Sequence, residues 1–374
     1  MNRHGVAQRT QGSNEQSLLG GDIGVKNSLD RNYLFEAQRH DADIRALTEV
    51  DRIEPMQGGG YRVFFVQRQR QSSATTQGWL RTKRLVLAAG TVGSTEILLR
   101  NRDVHGTLTK LSRCLGSRYT TNGNYLNGLL RVGPCLSTWL GTFLLIAAWL
   151  LMSAELAAVG AALYYGTLLI GPAPFEADLG ATNSDFTKLR GRPCGQGHVY
   201  IEGGRYPTPL RFLLAMGLSR IDGYTPSRYR HIVRLSRALE WLPPFGAIER
   251  SWPMPMLMMG RDDAVGTMAL NAGGRLTIDF NFDDNRSFYH HLDQMGKRMA
   301  RAARATWLPN YPHYITGRMA VPHNQGGVPM GHTPADGVVD HAGRVFGYDD
   351  LMVLDGSILP RSPGPNPALT IMAL

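Results

Sequence analysis

The C-terminal segment 321–374 carries three features in a fixed order, and together they restrict the folds that this chain can adopt. They are a histidine ahead of a glycine pair, an apolar strand that ends in a glycine turn, and an Asn-Pro helix start: His323 with Gly326 and Gly327, Asp355 with Gly356, and Asn366 with Pro367. The pattern joins a candidate base, a turn that lets a bound molecule approach the backbone, and a carboxamide at a helix start. Asn followed by Pro predicts that Asn366 caps this helix.

Composition indicates a globular protein and argues against a nucleic-acid-binding one. The chain has 374 residues, of which 43% are hydrophobic and 19% charged, which is enough for one large or two medium domains. The net charge of +10 comes almost entirely from arginines that are scattered along the sequence. Because no basic run or basic-aromatic patch is present, a solvated Arg-rich surface is the better interpretation, and nucleic acid is not an expected partner.

Cysteine usage and the N-terminus bear on metal binding and location. Cys114, Cys135 and Cys194 are odd in number and far apart, so neither a disulfide framework nor a zinc site is expected. No metal site of any kind is predicted. The first residues lack the apolar stretch of a secretory signal, so we expect a cytoplasmic or membrane-associated protein.

An uncharged block occupies the middle of the chain. Residues 132–175 contain a single charged residue, Glu155, and exceed the roughly 20 apolar residues that cross a bilayer. Three interpretations stay open: a transmembrane or re-entrant segment, a buried helical pair, or an insertion or reading-frame artefact. Membrane contact is favoured over the buried pair because a soluble core helix normally has a polar face.

Alternation of strand-like and helix-like patterns elsewhere predicts an α/β or α+β protein. A helix is expected after Asn27-Ser28 and another from about Ser94, following a buried strand over 85–88 and a turn at Gly90. Further strands are expected within 42–55 and 61–68, which flank a turn at the three glycines 58–60, and within 197–207 and 275–285. A helix is expected from Ser287 on.

At these segments the chain resembles the glucose-methanol-choline (GMC) family of FAD-dependent oxidoreductases, and within it the cholesterol-oxidase-like branch. The shared segments occur in family order: KNSLDRNYL, EVDRIEP, LAAGTVGSTEILLR, VYIEGGRYP, HNQGG, GRVFGY, VLDGSILP and NPALTIMAL. The resemblance covers most of residues 20–130 and 195–374. It implies an incomplete GMC fold: a partial, Rossmann-like FAD-binding domain from 1–120 and 324–374, and a substrate domain with a mixed sheet and helices over 121–323, which includes the apolar insertion.

The chain departs from the family pattern in ways that suggest an N-terminally truncated protein. The Rossmann strand, the GxGxxG phosphate loop and the acidic ribose-binding residue of the family are not found in the sequence. The chain also stops at Leu374, where relatives continue the last helix, and Val328 replaces the usual cysteine after the glycine pair.

The resemblance implies three catalytic residues. His323 matches the active-site histidine, and imidazole titrates near neutral pH. Asn366 matches an asparagine that aims its amide at a substrate oxygen or the flavin edge, which is compatible with a helix cap. Glu202 matches a carboxylate that moves a proton between ring carbons, although the end of a strand is an equally good interpretation of it.

The resemblance also implies the cofactor contacts and the substrate. FAD is the expected cofactor, with Val50 and Gly90 near its adenine half and Asp355, Gly356, Asn366 and Pro367 near the flavin. The implied reaction is oxidation of a sterol-like secondary alcohol to a ketone, with double-bond isomerisation if Glu202 acts as implied. Two alternatives stay open: an inactive membrane-associated fragment, or a GMC dehydrogenase for a non-steroid alcohol.

Overall fold

Helices and sheets are mixed along the chain in this computed structural model, as the sequence predicts. The structure describes residues 32–70, 72–130, 254–303, 305–309, 321–364 and 366–374, the strands at 186–189 and 199–203, residue 29, and short helical pieces between 143 and 161. The predicted helix start at Asn27-Ser28 lies outside these residues. The helix itself, α1, runs over Tyr33–Arg39, and the side chain of Asn32 accepts a hydrogen bond from its first N–H.

A three-stranded antiparallel sheet follows α1. It consists of β1 (Thr48–Pro55), β2 (Tyr61–Arg68) and β3 (Thr75–Thr82), in that order. Three glycines at 58–60 have positive φ angles, which other residues adopt only with strain, and they form the β1–β2 turn that the sequence predicts. The second strand has the predicted bounds, whereas β3 was not predicted, since its residues are mostly polar and exposed.

A short parallel pair of strands joins two distant parts of the chain. β4 (Leu85–Leu87) pairs with β12 (Leu351–Val353), although 263 or more residues separate them. Helix α2 (Gly90–Asp103) follows β4, and buried residues of all three elements pack in one core cluster with Ile53 and Val328. This helix begins at Gly90, four residues before the predicted start.

The second core lies on a five-stranded sheet with the order β11-β5-β8-β7-β6. Its strands, in chain order, are β5 (Tyr125–Leu130), β6 (Phe186–Leu189), β7 (Val199–Gly203), β8 (Met254–Met259) and β11 (Thr306–Leu308). Every pairing in it is antiparallel, so the expectation of a mixed sheet is wrong for these strands. Antiparallel neighbours need no crossover helix, and the sequence pattern alone does not reveal the direction in which strands pair.

Helix α3 (Arg286–Ala302) covers this sheet, and its apolar stripe packs as the sequence predicts. Phe288, Leu292 and Met295 are buried, and a 3₁₀ turn at Phe282–Asn285 precedes the helix. Met256 and Met258 of β8 belong to the same core, so these two methionines are packing residues.

The remaining elements are a hairpin and a terminal helix. β9 (Thr267–Leu270) pairs with β10 (Leu276–Asp279), and α4 spans Ala368–Ala373. Most of the apolar block 132–175 lies outside the described residues. Among the residues that the structure does describe, no helix is both long and apolar enough to span a membrane, and no group of three His, Cys, Asp or Glu side chains could hold a metal ion.

Candidate active site

The turn 120–124 and the segments of Gly356 and Ser362 meet at the loop that carries His323. The turn 120–124 pairs with the loop 323–328 through reciprocal backbone hydrogen bonds between Thr120 and Gln325, at 3.0 and 3.2 Å. The same loop bonds to the segment after β12, since Gly326 N donates to Gly356 O at 3.1 Å. The loop that carries Ser362 bonds back to the turn, because the hydroxyl of Ser362 donates to Asn122 Oδ1 at 2.5 Å.

His323 lies half-buried at this junction. Its Nδ1 is 2.9 Å from Oδ1 of Asn124, a fully buried residue at the end of the 120–124 turn. Burial lowers the pKa of the imidazole, because the charged form loses solvation. A histidine with a lowered pKa is neutral at physiological pH, and a neutral imidazole can accept a proton.

The glycine pair after His323 is required by the packing around it. A Cβ on Gly326 would lie 1.9 Å from the carbonyl oxygen of Arg118, and one on Gly327 would lie 2.3 Å from Oγ1 of Thr95 on α2. Both glycines have positive φ angles. The pair therefore lets the loop that carries His323 lie directly on the start of the turn segment and on helix α2.

Asp355, predicted near the flavin, is buried and uses its carboxylate within the protein. One oxygen accepts from Gly90 N at 3.0 Å and from Ser94 Oγ at 2.5 Å, and the other accepts from the backbone and hydroxyl of Ser357 at 2.8 and 2.6 Å. The carboxylate thus compensates the positive end of α2, which explains why this helix starts at Gly90 and not at Ser94.

Gly356 lies where three elements converge. A Cβ there would lie 3.0 Å from Thr91 Oγ1 of α2, 3.2 Å from Ile371 Cδ1 of α4, and 3.4 Å from the carbonyl oxygen of Asn324. The turn predicted to approach the flavin is therefore placed beside the loop of His323 and beside the terminal helix.

The N-cap of α4 is Pro367 and not the predicted Asn366. Pro367 occupies the N-cap position of α4, and Asn366 precedes it with a φ of +42°. An N-capping residue normally has an extended backbone, so the left-handed conformation excludes Asn366 from that role. Pro367 is buried, whereas Asn366 is exposed on the loop that Ser362 ties to the 120–124 turn.

Glu202 and Val50 lie further out. Glu202 is in β7, with Phe186 of β6 on one side and Leu257 of β8 on the other, so its backbone is in the interior of the five-stranded sheet. Val50 lies on β1 at a register shift, and its side chain packs against the first core. No contact of either residue tests its predicted role, and both roles stay predictions.

Two buried amides at the junction have polar atoms without a hydrogen-bond partner. Gln325 is fully buried, and neither its Nε2 nor its Oε1 is bonded; Nδ2 of the buried Asn122 is unbonded as well. Leaving such groups unpaired costs roughly 1–3 kcal/mol each, so native proteins rarely bury them without a purpose. Two donors and one acceptor at this junction are thus left without a partner among the described residues.

Comparison with known proteins places these segments in a family. Residues 262–374 match the GMC oxidoreductases. Over 95% of its length the chain is 27% identical to a cholesterol oxidase of Mycobacterium tuberculosis, and over 96% it is 24% identical to one of Acinetobacter baumannii. The C-terminal part of this chain is therefore similar to the GMC oxidoreductases. The resemblance inferred from the sequence is confirmed, and with it FAD as the cofactor that the family indicates.

The chain spans 56% and 58% of the lengths of these two curated relatives. Among solved structures, an FAD-dependent oxidoreductase from Chaetomium thermophilum aligns with 92% of this chain and 62% of its own. That alignment has a TM-score of 0.47 and 16% identity.

The residues at the junction fit the ring of a flavin better than they fit the diphosphate of FAD. The unbonded amides of Gln325 and Asn122 complement the polar edge of an isoalloxazine, which carries both donors and acceptors. A diphosphate would favour a helix N-terminus, but the carboxylate of Asp355 already occupies that of α2. The described part of this chain therefore offers contacts to the ring and no glycine-rich phosphate loop.

Sequence reasoning missed several residues of this site: Asn122, Asn124, Asp262, Gln325 and Ser362. The run TTNGN was a usable signal, because a cluster of small polar residues directly before an apolar strand is unusual unless it is bonded. Gln325 was also recognisable, as a large amide between His323 and the two glycines.

Proposed function

We propose that this chain carries the alcohol-oxidising site of an FAD-dependent GMC oxidoreductase, with a sterol-like secondary alcohol as substrate and a ketone as product. One observation supports this most strongly: a half-buried histidine with a lowered pKa lies beside buried amides that have unsatisfied polar atoms. Removal of a hydroxyl proton needs a neutral base, and the lowered pKa of His323 supports a neutral imidazole in that role.

Each residue has a proposed part in the reaction. His323 accepts the hydroxyl proton at its Nε2, while Asn366 orients the hydroxyl oxygen with its carboxamide. Gln325 and Asn122 would hold the polar edge of the flavin, and Gly356 would allow its close approach. A bound FAD would supply the acceptor for the hydride of the carbinol carbon.

A sterol-like substrate is favoured by similarity to the cholesterol oxidases. For such a substrate we further propose that Glu202 transfers a proton between two ring carbons after oxidation and thereby shifts the double bond. Such a transfer needs a strong base, and a carboxylate that loses solvation becomes one.

Anaerobic reduction of the flavin tests this proposal. The purified chain is mixed with FAD and then with either a 3-hydroxysteroid or a short aliphatic secondary alcohol, and loss of the oxidised-flavin absorbance is followed. Bleaching by the steroid, with a ketone as the product, is expected. Bleaching by the aliphatic alcohol alone would point to a dehydrogenase for non-steroid alcohols, and no bleaching by either would contradict the proposed activity.

The role of Glu202 is tested by the product. Glu202→Gln keeps the size of the side chain and removes its base. If Glu202 transfers the proton, this variant forms the ketone with its double bond unmoved, while the wild-type chain forms the conjugated ketone. An isomerised product from the variant would exclude that role.

A further inference from the structure

We propose that Asn124 is a positioning residue that fixes which nitrogen of His323 carries the proton. Nδ1 is held as the donor, and Nε2 is left as the nitrogen that accepts. This inference rests on the proposed function for its catalytic consequence, but the placement of the proton can be measured without any activity.

The orientation of the Asn124 amide decides which atom faces the histidine. Its Nδ2 donates to the carbonyl oxygen of Thr121, three residues earlier, within the same turn. That bond directs Oδ1 outward to Nδ1 of His323, at 2.9 Å. Since an amide oxygen has no proton to give, the imidazole must be the donor, and its Nδ1 must be protonated.

The turn that carries Asn124 is itself held in place, so the amide cannot easily reverse. The carboxylate of buried Asp262 accepts a hydrogen bond from the hydroxyl of Thr120. It also accepts one from the N–H of Thr121 at 3.0 Å and one from the hydroxyl of Thr121 at 2.9 Å. Tyr289 of α3 lies 2.9 Å from the same Thr121 hydroxyl. The turn is therefore joined to the end of β8 and to α3.

The middle of the turn is packed as closely as its ends. Gly123 has a φ of +58°, and a Cβ on it would lie 2.6 Å from the ring of Phe288 and 2.8 Å from the carbonyl oxygen of Gly260. Its neighbour Asn122 accepts from the Ser362 hydroxyl. Every residue of the turn is thus bonded or packed, which pre-organises the contact between Asn124 and His323.

The catalytic consequence concerns the base. A neutral histidine has one protonated and one unprotonated nitrogen, and only the unprotonated nitrogen can take the hydroxyl proton of an alcohol. With Nδ1–H donated to Asn124, Nε2 is the accepting nitrogen in every neutral molecule. Without Asn124 the two forms mix, and part of the protein presents a donor where a base is needed.

The nitrogen chemical shifts of His323 test the placement directly, in ¹⁵N-labelled protein without added flavin. The wild-type chain should show His323 protonated at Nδ1, and Asn124→Ala should shift it towards the Nε2–H form. Asn124→Asp keeps the size and the acceptor, so it should restore Nδ1–H. Asn127→Ala is the matched control, because Asn127 is equally buried and, among the described residues, its side chain bonds to Tyr125 O and not to His323, so this change should leave His323 unaltered.

Activity gives the second measurement. Asn124→Ala should lower kcat about 10- to 100-fold with little change in KM, and Asn124→Asp should recover most of that loss. A wild-type His323 protonated at Nε2, or an Asn124→Ala tautomer equal to that of the wild type, would overturn the proposal. If Asn124→Ala does not fold, the wild-type and Asn124→Asp tautomers still decide it. If His323 is protonated at Nδ1 but the chain oxidises no alcohol, the proposed function is refuted, while the role of Asn124 in placing the proton stands.

Discussion

The carboxylate of Asp355 lies 3.0 Å from the backbone nitrogen of Gly90, across 265 positions of sequence. A single side chain thus links the end of β12 to the start of α2, beside the parallel pairing of β4 with β12. The link explains how two distant halves of the chain hold the loop of His323 between them.

Asp355→Asn should weaken this link. An amide in place of the carboxylate keeps one acceptor oxygen, but it must point its NH₂ donor at a group that is itself a donor, either the Gly90 N–H or the Ser357 N–H. The expected loss is about 1–3 kcal/mol in the free energy of unfolding, measured by urea denaturation. Asp279→Asn is the control, since Asp279 is exposed on β10 and should change little. Equal effects of the two substitutions would contradict the structural role of Asp355.

Gly327→Ala tests the contact between the glycine pair and α2. The added methyl would meet Thr95 Oγ1 at 2.3 Å and Met268 Sδ at 2.9 Å. Gly59→Ala is a matched control, because Gly59 has a φ of +97° against +95° at Gly327 but has open space around it. Both variants lose roughly 1–2 kcal/mol from the backbone, and Gly327→Ala should lose about 1–3 kcal/mol more from overpacking. Similar melting temperatures for the two variants would show that α2 does not pack there.

The lowered pKa of His323 predicts a pH dependence of stability. Its folded-state pKa lies below the value of about 6.5 expected in the unfolded chain. Between about pH 6.5 and the folded-state pKa, the unfolded chain therefore binds more protons than the folded chain. The free energy of unfolding falls as the pH falls through this window, and it stays lower below it. Above about pH 7 it makes no such contribution.

An NMR titration of the His323 ring protons measures this shift. The midpoint in the folded chain should be lower than that of the same histidine in concentrated urea. A folded-state midpoint at or above the urea value would contradict the burial of the imidazole.

The contacts available to FAD predict a weak preference between flavins. Because the described residues offer amides to the ring and no phosphate loop, FAD and riboflavin should bind with dissociation constants within roughly a factor of ten, or about 1.4 kcal/mol. Quenching of flavin fluorescence measures both. Binding of FAD a thousandfold tighter than that of riboflavin would show that the chain does hold the diphosphate.

Local patterns predicted much of the fold. The bounds of β2 follow from the glycines at 58–60 and the alternation after them, and the buried face of α3 follows from its periodicity. The start of α2 was misplaced because Asp355, 265 residues away, stabilises its first turn. The capping role of Asn366 was wrong because the loop before it imposes a positive φ angle.

The site was only partly predictable for the same reason. His323, Gly356 and Pro367 were identified through family motifs, and the structure brings their segments together. Asn124 and Asp262 were not, because each acts through a contact that spans more than 140 positions. Hydrogen bonds of that range depend on the finished fold and leave no periodic trace in the sequence.

The proposed function requires that His323 lie beside the flavin ring. This is tested by the NMR signal of the His323 imidazole as FAD is added to the purified chain, with the exposed His341 as an internal control. We expect a saturable ring-current shift of His323 at one flavin per chain and no shift of His341. Binding of FAD that leaves the His323 signal in place, or no binding at all, would contradict it.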